Sequence, residues 1–71
     1  MEVFDPDKLW AVMNRKKMSP LTIIWQADFE PRTLGEWLTG LSTPRPSNLR
    51  RLAKTLNTPE QAFFTEQEQA S

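Results

Sequence analysis

The 71-residue sequence contains no cysteine and no histidine. No disulfide framework is possible, and neither a thiolate nor an imidazole can hold a metal. Cys–His and Ser–His catalysis are excluded with them. Glycine is scarce: Gly35 and Gly40 are too few for a phosphate-cradling loop. No apolar run approaches the about 20 residues of a membrane span. The acidic N-terminus does not resemble a secretory signal, which needs a basic stretch leading into an apolar one. These absences lead to the expectation of a soluble cytoplasmic protein without cofactor, metal or membrane partner. The paired acids Asp5/Asp7 and Glu66/Glu68 lie at the chain ends, where nothing encloses them, so a general acid–base pair and an enzyme are not expected.

Net charge is absent too, but the zero hides a segregation. Residues 1–7 sum to −3 through Glu2, Asp5 and Asp7. Residues 8–54 carry nine bases against Asp28, Glu30 and Glu36, a sum of +6. Residues 55–71 return to −3 through Glu60, Glu66 and Glu68. A basic middle between acidic ends suits a polyanion partner, or it simply solvates a surface.

What the chain does have is proline, six in all. Proline lacks an N–H and fixes φ, which suits the first position of a helix. Asp5-Pro6, Ser19-Pro20 and Thr58-Pro59 each place a capping side chain before a proline, and Glu60 adds an acid to the last of these. Glu30-Pro31 and Arg45-Pro46 are weaker versions, since Glu and Arg cap poorly. Pro44 reads as loop.

Five helices follow. The first covers residues 6–17, with Leu9, Trp10, Val12 and Met13 as its apolar stripe and Arg15, Lys16 and Lys17 at its end, complementing the dipole. The second covers residues 20–27, with Ile23, Ile24 and Ala27 inward, and a turn with Asp28 and Phe29 follows. The third covers residues 31–39, with Leu34, Trp37 and Leu38 inward and Gly40 as its left-handed stop. The fourth covers residues 46–56, with Leu49, Leu52, Ala53 and Leu56 as a stripe and Asn57 ending it. The fifth is one or two turns over residues 59–64, and residues 65–71 read as a frayed polar tail. No segment alternates like a half-buried strand. One domain near the lower size limit for a self-sufficient core is expected over residues 1–71, with three Trp and four Phe supplying bulk.

Several spacings within this frame are specific. Met18-Ser19 introduces the second helix, and "RTLGEWLTG" ends in Gly40. Pro44 comes four residues later, and Leu52-Ala53-Lys54 begins eight residues after that. "NTPEQAFF" closes the pattern. In these residues the chain resembles the Cro/CI-type (XRE) helix-turn-helix family from Leu9 to Phe64 without insertion or deletion. The resemblance implies an all-α, lambda-repressor-like domain that regulates transcription, as a repressor or an activator. It would lay the start of the third helix in the major groove of double-stranded DNA, as a homodimer.

By position, the resemblance turns Pro31, Arg32, Thr33 and Glu36 toward base edges. Arg32 would pair with guanine, Thr33 would meet a base or a thymine methyl, and Glu36 would accept from cytosine or stay solvated. Lys16, Lys17, Ser19, Thr39 and Arg45 would contact phosphates. Arg50, Arg51 and Lys54 read as the solvated side of the fourth helix, with phosphate contact as the alternative.

The sequence also departs from the family. Asp28 stands where the family's turn has glycine, and Ile24 where it prefers alanine, with Gly35 as the small neighbour that would make room. Pro20, Glu30 and Pro31 sit where the family touches DNA. Met13 and Leu38 replace a buried ion pair and should therefore touch; replacing both partners of such a pair can be neutral or stabilising. Trp25 and Leu41 have no place in the expected core. Trp25 is an interface anchor or lies at the core margin. Leu41 is likewise a candidate interface anchor, and Trp25, Phe63 and Phe64 form the candidate interface of the alternative function, a protein-interaction module that keeps the fold and has lost DNA readout.

Overall fold

A computed structural model describes residues 1–66. Its elements run β1 (Glu2–Phe4), α1 (Pro6–Lys16), α2 (Pro20–Ala27), α3 (Pro31–Thr39) and α4 (Pro46–Thr55), then a 3-10 turn (Glu60–Phe63) and β2 (Phe64–Glu66). The described chain is predominantly helical.

Proline opens all four α-helices, as its fixed φ and missing N–H favour. Two starts carry a side-chain cap. Asp5 accepts from the Asp7 N–H at 2.9 Å, and Ser19 accepts from the Thr22 N–H at 3.3 Å. Glu30 and Arg45 occupy the same place before α3 and α4 and make no side-chain cap bond.

The helix ends divide differently. After α1, α3 and α4, a left-handed residue (Lys17, Gly40 and Asn57) lets two backbone N–H groups reach back to the last turn. In each pair the bond that spans more residues is the shorter in distance: Met18 N to Met13 O at 2.9 Å, Leu41 N to Glu36 O at 2.9 Å and Thr58 N to Ala53 O at 3.0 Å. This double closure satisfies carbonyls that would otherwise be orphaned. Asp28 is left-handed after α2 as well, yet among the described residues no such pair forms there.

The apolar stripes converge on one core. Leu9, Val12 and Met13 of α1 meet Ile23 and Ala27 of α2 there. Leu34, Trp37 and Leu38 come from α3, and Leu49, Leu52 and Ala53 from α4. Phe29, Leu56 and Phe63 complete it from between and beyond the helices. Burying each large side chain contributes about 1.5–3 kcal/mol, so these stripes dominate the stability of the domain. Met13 and Leu38 are both buried in this cluster. Trp10 is not part of the stripe: it is 40% exposed, and its indole N–H donates to the Leu38 carbonyl at 3.2 Å, tying α1 to the end of α3.

Three expectations for the chain ends are corrected. The domain is not purely α, because β1 and β2 pair antiparallel, with Val3 opposite Thr65 and Phe4 opposite Phe64. The fifth helix is a 3-10 turn: Pro59 is extended, at φ −65° and ψ 150°, and stays outside it. Thr65 and Glu66 are strand rather than frayed tail; the rest of the expected tail, 67–71, lies outside the described residues. Strands of three residues are too short to show alternation, and their pairing joins opposite ends of the chain. Phe4 meets Phe64 edge to face at 6.4 Å between ring centroids, and the Asp5 N–H donates to the Phe63 carbonyl at 2.8 Å. No described helix is long and apolar enough to cross a membrane.

Candidate nucleic-acid interface

Two helices joined by the three residues Asp28, Phe29 and Glu30 form the centre of the candidate site. Asp28 adopts φ 58°, so the turn takes its left-handed residue without glycine. Phe29 drops into the core and meets Trp37 edge to face at 4.9 Å. The start of α3 is thereby held from below while its outer face stays open.

On that face the Arg32 side chain is 89% exposed. Its Nε lies 3.7 Å from the Glu36 carboxylate one turn later. An exposed pair of this kind adds only about 0.3–0.5 kcal/mol to a helix, but it engages Arg32 through Nε and so leaves the two terminal nitrogens free. Thr33 is half-buried beside it, and Pro31 and Glu30 are exposed.

The expected phosphate-binding residues differ in how free they are. Lys16, Lys17 and Arg45 are exposed, with Lys17 on the left-handed residue after α1. The Ser19 hydroxyl is engaged locally, capping Thr22 and lying 3.0 Å from the Thr22 hydroxyl. Thr39 donates its hydroxyl proton to the Gly35 carbonyl at 2.9 Å, so in this rotamer it has only acceptor capacity left. Arg50 and Lys54 are exposed. Arg51 is not simply solvated: its Nη1 donates to the Ala27 carbonyl at 3.3 Å, and its guanidinium sits 5.3 Å over the Phe29 ring.

The candidate interface residues separate sharply. Phe63 is fully buried and cannot anchor a partner on this surface, and Phe64 is half-buried against Phe4. Both are drawn inward because β2 folds the chain end back onto the domain. Leu41 is 80% exposed. Trp25 is 82% exposed, which removes it from the core margin. Leu21, one turn before Trp25 and not foreseen from the sequence, is 64% exposed and continues the same apolar ridge. Its signal was the i, i+4 spacing on a helix with no charged residue. Gly35 does not relieve Ile24: a β-carbon at Gly35 would meet nothing within 4 Å, and Ile24 packs partly buried against the core.

Among the described residues no group of three or more acidic, cysteine or histidine side chains could hold a metal ion. No family model matches the chain, and neither a curated protein nor a solved structure matches it at a significant level.

Proposed function

We propose that this chain is a cytoplasmic, sequence-specific DNA-binding regulator of the Cro/CI helix-turn-helix type, acting as a homodimer that presents the first turn of α3 to the major groove. The observation that carries this reading is the state of Arg32. It projects from the first turn of a helix seated on the core through Phe29, and its terminal nitrogens are unengaged. A planar guanidinium in that state suits bidentate pairing with guanine O6 and N7. Glu36, already beside Arg32, is in place to accept from a neighbouring cytosine amine. Lys16, Lys17 and Arg45 supply exposed positive charge for phosphates. A lone module of this size buries little DNA surface, and a symmetric dimer reading two half-sites compensates.

The test is a titration against random duplex at low salt, followed by selection of preferred sites. Binding that weakens steeply with salt is expected. Arg32→Ala should then lose about 1–3 kcal/mol on a selected site and relax the preference for guanine at one position. Absence of binding to any duplex at high protein concentration would overturn the reading.

The exposed Leu21–Trp25 ridge favours a second reading, a protein-interaction module. Chemical-shift changes confined to that ridge on adding a protein partner, with none at Arg32 or Arg45 on adding DNA, would select it.

A further inference from the structure

The end of α2 lacks what the other helix ends have. α1, α3 and α4 each close with a pair of backbone bonds, whereas α2 ends at Asp28 without them among the described residues. The last turn of α2, like that of α3, carries no basic residue, and Asp28 puts a negative charge beside the negative pole of the helix. Such an end is the weakest place at which to join α2 to α3. The compensation comes from α4. The Arg51 guanidinium donates to the last carbonyl of α2 at 3.3 Å and lies over the Phe29 ring at 5.3 Å. One cation thus satisfies an orphan carbonyl, opposes the helix dipole and covers the aromatic anchor of the turn. Phe29 in turn packs on Trp37 of α3 at 4.9 Å, which completes a chain of contacts from α4 through the junction into α3.

We infer that Arg51 is a positioning residue: it fixes the angle at which α3 is presented and does not itself touch the ligand. The functional part of this inference rests on the proposed DNA binding; the brace itself does not. Its contacts to the carbonyl and the ring hold the guanidinium at the junction of α2 and α3. Arg50, Arg51 and Lys54 are all exposed on the same helix, and Arg51 differs from the other two in its contacts to the Ala27 carbonyl and the Phe29 ring.

Two measurements test this, on Arg51→Ala and on Arg51→Lys, which keeps the charge but not the planar fork. The first uses no DNA. Amide hydrogen exchange should accelerate across residues 28–33 in both variants and stay unchanged across residues 9–13 of α1. The second is DNA affinity against salt, at a temperature where circular dichroism shows the variant folded. Arg51→Ala should weaken binding roughly three- to tenfold with an unchanged salt slope, and Arg51→Lys should remain weakened. A slope reduced by about 0.9 would mean a lost phosphate contact and would overturn the positioning role. Full recovery by lysine, or wild-type affinity in a folded Arg51→Ala protein, would overturn it equally. If Arg51→Ala does not fold, Arg51→Lys alone decides between these outcomes. If the wild-type protein binds no duplex, the proposed function fails, and the brace stands or falls on the exchange pattern. Unchanged exchange at residues 28–33 would remove the brace whatever the protein binds.

Discussion

The first two helices and the last two begin with the same dipeptide pattern but are secured in different ways. Before α1 and α2, Asp5 and Ser19 cap the helix with their own side chains. Before α3 and α4, Glu30 and Arg45 provide no such bond. The later pair relies on tertiary contact alone, with Phe29 in the core before α3 and a buried Pro44 shortly before α4, whereas α1 adds the Asp5 N–H bond to the Phe63 carbonyl to its own cap. Local capping defines where a helix starts but not how it lies against its neighbours. A start held by the core fixes both, which is the property required of a helix that must present side chains at a set angle.

The largest expected effect comes from removing a tertiary anchor. Phe29→Ala should destabilise the domain by about 3–5 kcal/mol in urea unfolding, because it leaves a cavity under Trp37 and takes away the ring beneath Arg51. A loss below about 1 kcal/mol would break the comparison, since the start of α3 would then not depend on the core. Ser19→Ala should lose about 1 kcal/mol by the same measurement, while Glu30→Ala stays within about 0.5 kcal/mol because no cap bond is removed. Equal losses would show that the two starts are not secured differently. Glu30→Ser sharpens the contrast from the other side. It offers α3 the cap that α2 has and should gain about 0.5–1 kcal/mol in thermal unfolding, provided the hydroxyl reaches an N–H of the first turn. The smallest effect is expected at Trp25→Ala, within about 0.5 kcal/mol, because an 82% exposed side chain has little packing to lose. A larger loss that grows with protein concentration would mean that another copy covers the ridge.

Much of the helical frame was legible because proline acts locally. The starts at Pro6, Pro20, Pro31 and Pro46 follow from a fixed φ and an N–H that the helix does not use. The stop at Gly40, at φ 82°, follows from the freedom of a residue without a side chain. The same reasoning failed at Pro59, which stays extended, because a proline can precede a turn as readily as it opens a helix. The candidate site was legible in part. Arg32 and Glu36 share a face by their i, i+4 spacing, and the structure brings them to 3.7 Å. Whether Thr39 has a free hydroxyl proton could not be read, since its bond to the Gly35 carbonyl depends on a rotamer. The exposure of Trp25 could not be read either, because periodicity gives the direction of a side chain and not whether a neighbour covers it.

The sequence by itself determined four proline-opened helices, their inward stripes and the basic segment between acidic ends, because each rests on backbone restriction or on spacing along the chain. Only the tertiary structure decided that the two chain ends pair as strands, that Phe63 is core and that Arg51 closes α2. These are contacts between residues 24 to 64 positions apart. No local preference of either partner encodes such a contact; it exists only once the helices have packed.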